Sequence, residues 1–146
     1  MSKTLIAAAR TSIAAPRAAV WQALVDPQAI AKYMFGTTVV SNWGVGSAIT
    51  WKGEWKGKAY EDKGVILALE PGRRLSYSHF SPMSGLADEP ANYHTVTIEL
   101  ADEGEGTRVS LMQDNNADED ARVHSEKNWE TMLEGLKEYV EGATGR

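Results

Sequence analysis

The 146-residue chain reads as an α+β domain, an antiparallel meander of strands with one apolar face, covered by a single long C-terminal helix. Two patterns carry this reading. Apolar and polar residues alternate with period two between Thr37 and Asp114. A stripe at helical spacing then follows at Trp129, Met132, Leu133, Leu136 and Val140, that is i, i+3, i+4, i+7 and i+11. Strands that are apolar on one face need cover, and the terminal stripe is the segment able to supply it.

Residues 3–14 hold β-compatible side chains with no helical cap and predict a first strand. Pro16 suits a first helical turn, and Val20, Trp21 and Leu24 follow it at helical spacing, which predicts a short helix. Asp26-Pro27 offers a capping oxygen and a pre-set φ for a second short helix from Pro27 to about Met34, burying Ile30, Tyr33 and Met34. In the strand region Ile49, Trp51 and Trp55 alternate with Thr50, Lys52 and Glu54, and Leu75, Tyr77 and His79 with Ser76 and Ser78. Val96, Ile98 and Leu100 alternate with Thr95, Thr97 and Glu99; Val109, Leu111 and Gln113 with Arg108, Ser110 and Met112. Turn signals at Trp43-Gly44-Val45-Gly46, Lys56-Gly57-Lys58, Glu70-Pro71-Gly72 and Glu103-Gly104-Glu105-Gly106 are short enough to join antiparallel neighbours. Ser81 to Asn92, with Pro82, Gly85 and Pro90, has no period and reads as a surface loop, with a lid over the inner face as the alternative. The final helix starts near Asp118, spans about 24 residues or ~36 Å, and meets a stop signal at Gly142.

Composition narrows the function. With 42% hydrophobic and 24% charged residues the chain suits one domain, residues 1–146. The absence of cysteine excludes a disulfide scaffold, a thiol nucleophile, iron–sulfur ligation and any cysteine zinc site. Fifteen Lys and Arg against twenty Asp and Glu leave no surplus cation to displace counterions from nucleic acid. No apolar run approaches the roughly 18–20 residues of a membrane span, and the run Leu5 to Ala9 ends at Arg10, too short for a signal peptide. The expected location is the cytoplasm.

Familiar catalytic constellations are missing from the sequence. His79, His94 and His124 lack the i, i+4 spacing of a helical metal pair; Gly44-Val45-Gly46 lacks the third glycine of a phosphate loop; no Gly-x-Ser-x-Gly occurs. No catalytic residue, metal or cofactor is therefore assigned. Asp62, between Glu61 and Lys63, reads as a solvated or salt-bridged strand residue rather than a base. Glu126, Glu130, Glu134 and Glu138 form an acidic ridge that reads as a solvated face, with Lys127 and Lys137 nearby. Arg122 and Ser125 continue the apolar stripe toward its N-terminal end, where they suggest a polar mouth.

Taken together, the motifs resemble those of the START-like and birch-pollen-allergen-like proteins, the SRPBCC superfamily. They are most similar to the family named for the C-terminal domain of the activator of 90-kDa heat-shock protein ATPase. The resemblance rests on Pro16 with Val20-Trp21-Gln22-Ala23-Leu24, Asp26-Pro27, Val45-Gly46-Ser47, Gly64-Val65-Ile66, Glu70-Pro71-Gly72-Arg73-Arg74-Leu75, and Asn128-Trp129 with Leu133 and Leu136. Two positions depart from the pattern: Tyr33-Met34 stands where members usually show Trp-Phe, and His79 stands where Leu-x-Tyr-x-Trp ends in Trp. Both departures put a polar atom on an inward face.

The resemblance implies a helix-grip fold, a curved sheet wrapped around the long helix, with a ligand cavity in the gap between them. Trp51, Trp55, Tyr77, His79 and Gln113 from strands and Tyr33 and Met34 from the second helix should reach that cavity, roofed by Trp129, Met132, Leu133 and Leu136. His79 needs partners, and Tyr77, Tyr93 and Gln113 are the inward candidates. The expected function is binding of a small apolar or amphipathic molecule, driven by burial of its surface. Two alternatives stand beside it: a module that activates a chaperone ATPase, with the chaperone or a second copy of the chain as partner, and a cyclase- or hydratase-like enzyme acting on an aromatic or polyketide-like substrate.

Overall fold

Burial alternates residue by residue along the strands, as the period-two pattern requires: Val96, Ile98 and Leu100 are buried while Glu99 is exposed, and Val109 and Leu111 are buried while Arg108 and Met112 are exposed. The computed structural model describes residues 5–34, 36–55, 57–82 and 85–144. In chain order the elements are β1 (Ala7–Ile13), α1 (Arg17–Val25), α2 (Pro27–Tyr33), β2 (Thr38–Ser41), β3 (Ala48–Trp55), β4 (Lys58–Glu70), β5 (Arg74–His79), β6 (His94–Glu103), β7 (Gly106–Gln113) and α3 (Glu119–Thr144). The strands form one seven-stranded sheet in the order β1-β7-β6-β5-β4-β3-β2, and every neighbouring pair is antiparallel. The sheet curves round α3 in the expected helix-grip arrangement, with α1 and α2 on the crossover between its two edge strands.

Local chemistry sets the helix ends. Asp26 caps α2 by accepting from Gln28 N, with Pro27 at its first position, and Asp118 Oδ1 accepts from Ala121 N at 2.8 Å to start α3. Helix α3 is 26 residues long and runs through Gly142, which therefore does not stop it. A glycine inside a helix costs only ~1 kcal/mol relative to alanine, and the packing of the preceding turns outweighs it. Met132, Leu133, Leu136 and Val140 bury the inner stripe of α3 against the sheet.

Strand β1 is an edge, and α3 covers it with side chains. Glu126 Oε1 accepts from Ala8 N at 3.1 Å, Lys137 Nζ donates to Ser12 O at 2.8 Å, and Glu141 Oε2 accepts from Ala14 N at 2.8 Å. These bonds occupy backbone groups that would otherwise invite another strand. The expected solvated ridge is thus divided: Glu130, Glu134 and Glu138 face outward, whereas Glu126 is turned onto β1.

The loop after β5 lies on the outer side of the sheet. Lys63, which points away from α3, pairs with Asp88; Tyr93 Oη donates to Asp88 at 2.6 Å and its ring stacks on Phe80 with centroids 5.1 Å apart. Tyr93 consequently does not reach the inner face, contrary to expectation. Among the described residues no helix is long and apolar enough to cross a membrane.

Candidate functional site

The centre of the inner face is filled. Tyr33, Trp51 and Tyr77 are each about 95% buried, and the Trp51 and Tyr77 rings tilt against each other at 5.0 Å. The void they leave, among Leu24, Ile30, Val39, Ile49, Leu75 and Ile98, is about 30 Å³, room for one water. Tyr33 Oη donates to Ala23 O at 3.0 Å, so its polar atom ties α2 to α1 instead of facing a ligand. Burial pushes both the Tyr33 and the Tyr77 phenols up from their ordinary value and keeps them neutral. Leu133 and Leu136 are 1% and 0% exposed and belong to this packed region; they do not roof an open space.

Space opens nearer the N-terminal half of α3. An open pocket of about 310 Å³ is lined by Met34, Thr37, Glu54, Tyr60, Gln113, Ser125, Asn128, Trp129 and Met132. Of the residues expected at a cavity, Met34, Gln113, Trp129 and Met132 meet here; the side chain of Trp55 lies outside the described residues. Ser125 joins them, while Arg122 is held by Glu119 at 2.7 Å and Glu126 at 3.0 Å.

Hydrogen bonds fix the polar groups on this wall. Trp129 Nε1 donates to Gln113 Oε1 at 2.6 Å; Gln113 Nε2 lies 3.0 Å from His94 Nδ1 and 3.3 Å from Asn116 Oδ1. Asn116, buried, donates in turn to Leu5 O at 2.8 Å, which anchors the end of β7. On the opposite wall Tyr60 covers Gly53, its cross-strand partner: a Cβ at Gly53 would lie 2.6 Å from Tyr60 Oη. Thr37 Oγ1 donates to Met34 O at 2.8 Å and meets Tyr60 Oη at 2.6 Å.

The sequence reading missed the partner of His79. His79 Nε2 sits 2.9 Å from Asp62 Oδ2, and the two side chains are 28% and 18% exposed, so of the two expectations for Asp62, solvated or salt-bridged, the structure shows the paired one. Tyr77 and Gln113 do not take that role. The imidazole also meets Trp51 edge-on at 5.1 Å and stacks on His94 at 6.2 Å. Asp62 Oδ1 is buried with no partner among the described residues. A signal was present: Tyr60, Asp62, Gly64 and Ile66 share one face by period two, and Asp62 stands opposite Trp51 in the β3–β4 register. Gly64 lets β5 approach, since a Cβ there would fall 1.7 Å from Ser78 O. Among the described residues no group of three His, Asp or Glu is placed to hold a metal ion.

The family model described as activator of Hsp90 ATPase homolog 1-like protein matches residues 14–141. A solved protein from Cytophaga hutchinsonii is 56% identical, with 100% of each chain covered and a TM-score of 0.86. The solution structure of the Aha1 dimer from Colwellia psychrerythraea is 20% identical, with 93% of this chain and 96% of that one covered and a TM-score of 0.73. A crystal structure of a protein from the dynemicin biosynthetic locus is 19% identical at a TM-score of 0.77, covering 97% of this chain and 48% of that one. These last two are likenesses of fold. No curated protein matches the chain.

Proposed function

This chain belongs to the activator of Hsp90 ATPase homolog 1-like family, and from that membership we propose that it binds a compact apolar or amphipathic molecule in the pocket between the sheet and α3. The observation that carries the reading is the pocket wall itself. Met34, Trp129, Met132 and Tyr60 supply apolar surface, and Gln113, Thr37 and Ser125 converge on it as the few polar groups that orient a guest. At about 310 Å³ the space stands at the small end of the roughly 300–1,000 Å³ of ligand sites, which suits a single-ring molecule better than a long acyl chain. Affinity comes from apolar burial at roughly 25 cal/mol per Å², and the two methionines let the wall adapt to the guest's shape.

Native mass spectrometry of protein purified without detergent, paired with amide and indole NMR shifts on adding small aromatic compounds, tests the proposal. A copurifying molecule, or shifts concentrated at Met34, Gln113 and the Trp129 indole, supports it. A guest-free protein whose shifts scatter over the outer surface overturns it.

One observation favours a second reading, an enzyme acting on an aromatic or polyketide-like substrate. A carboxylate-oriented imidazole, Asp62 with His79, is the form a general base takes. Turnover of such a substrate that vanishes in both Asp62→Asn and His79→Phe supports this reading; turnover that survives both removes it. Activation of a chaperone ATPase is carried by the family's name alone and has no surface feature of its own among the described residues.

A further inference from the structure

We infer that the pocket selects a guest whose polar end donates hydrogen bonds, above all a compact arylalkylamine, and rejects carboxylates of the same size; the inference rests on the binding function proposed above. The polar hydrogens of Thr37, Tyr60 and Trp129 are already committed within the protein. Thr37 Oγ1 carries one hydrogen and gives it to Met34 O at 2.8 Å, so in the 2.6 Å contact Tyr60 Oη is the donor and its remaining lone pair accepts. An indole N–H only donates, so Gln113 presents its amide oxygen to Trp129 and keeps a second lone pair there, while its NH₂ group is directed at His94 Nδ1 and Asn116 Oδ1. Glu54, exposed at the rim, is an acceptor and has no ion-pair partner among the described residues.

On the sheet side the wall therefore offers a guest acceptors at Tyr60, Gln113 and Glu54; on α3 Ser125 and Asn128 can donate as well as accept, and no Lys or Arg lines the pocket. A carboxylate entering this space would lose water, face the oxygen lone pairs of Tyr60, Gln113 and Glu54, and find no cation, with Ser125 and Asn128 as its donors. An ammonium brings three donors, meets the charge of Glu54, and can lie against the ring of Trp129.

Phenethylamine, phenethyl alcohol and phenylacetate share one skeleton and differ only at the head group. Their dissociation constants for the full chain at neutral pH, read by calorimetry and by the Trp129 indole resonance, test the inference. The amine should bind tightest and phenylacetate roughly tenfold or more weaker than the alcohol. Glu54→Gln should weaken the amine by about two- to fivefold and leave the alcohol unchanged. Phenylacetate binding as tightly as the alcohol overturns the inference while the pocket's binding function stands. Failure of all three to bind overturns both.

Discussion

Trp129 Nε1 donates to Gln113 Oε1 at 2.6 Å, joining the middle of α3 to the last residue of β7 across the pocket floor. Gln113 is 6% exposed, so removing the indole N–H strands a buried acceptor. Trp129→Phe is expected to lower unfolding stability by about 1–3 kcal/mol, and Gln113→Met, which strands the donor, by a similar amount. The double variant should lose less than the sum of the two, because neither group then remains orphaned. Denaturant unfolding of the four proteins checks this, and strict additivity would rule the bond out as a contributor.

Leu136 and Glu134 lie two positions apart on α3 with opposite environments, the one 0% exposed and the other facing water. Leu136→Ala is expected to cost about 2–5 kcal/mol through lost burial and a cavity, and Glu134→Ala no more than about 0.5 kcal/mol. Chemical denaturation separates the two directly. Guest affinity measured well below the unfolding transition should be unchanged by either, since neither lines the pocket.

The contrast shows how far the sequence reaches. Period-two burial in β6 and β7 and the helical stripe from Trp129 to Val140 were legible because each is a local pattern with a fixed repeat. That repeat gives the inward face of α3 but not where helix and sheet part, so Leu133 and Leu136 could not be told from Trp129 and Met132. Asp62 was obscured by its charged neighbours Glu61 and Lys63, and its pairing with His79 is set by how closely β4 and β5 approach at Gly64. Glu126 belonged to a legible acidic ridge, yet its bond to Ala8 N joins residues 118 apart in sequence. Long-range geometry of this kind leaves no periodic trace.

Two glycines in the site region should respond differently to alanine. At Gly64 the added Cβ would fall 1.7 Å from the backbone oxygen of Ser78, which can move only by parting β4 from β5. Gly64→Ala is expected to destabilise by about 3 kcal/mol. At Gly53 the obstacle is the far end of the Tyr60 side chain, which can swing aside and give up its bond to Thr37 for about 1 kcal/mol. Thermal unfolding should rank Gly64→Ala well below Gly53→Ala, with the Tyr60 ring resonances moving only in the second; equal melting temperatures would contradict the close approach at Gly64.

His94 Nδ1 stands 3.0 Å from both the Gln113 amide nitrogen and the Asp114 carbonyl oxygen, and one atom cannot accept from the first while donating to the second. Because Trp129 fixes the Gln113 amide, the bond to Gln113 requires His94 Nδ1 to be the acceptor and puts the proton of the neutral ring on Nε2. Imidazole nitrogen NMR above neutral pH should show the Nε2–H tautomer in the native chain. In Gln113→Met the Asp114 carbonyl is the Nδ1 partner that remains among the described residues, and the population should move toward Nδ1–H. An Nδ1–H tautomer in the native chain would show that Gln113 does not donate to this ring.

Acid should loosen β1 from α3 before the rest of the sheet. Glu141 is held below the usual carboxylate range by Lys137 first and by the Ala14 N–H second; Glu103 is lowered likewise by Ser12 and Arg108. Both carboxylates thus tie β1 or the residue following it to neighbouring elements. A carboxyl depressed in the folded chain binds fewer protons than in the unfolded one, so its contribution is complete above the ordinary carboxylate value and disappears as pH falls through the depressed one. Hydrogen exchange at the Ala14 amide should accelerate through that acid window while Leu111 and Val109 stay protected. In Glu141→Gln, which keeps an acceptor but cannot titrate, the Ala14 amide should lose most of this acid sensitivity; an unchanged profile would show that Glu141 does not hold the edge.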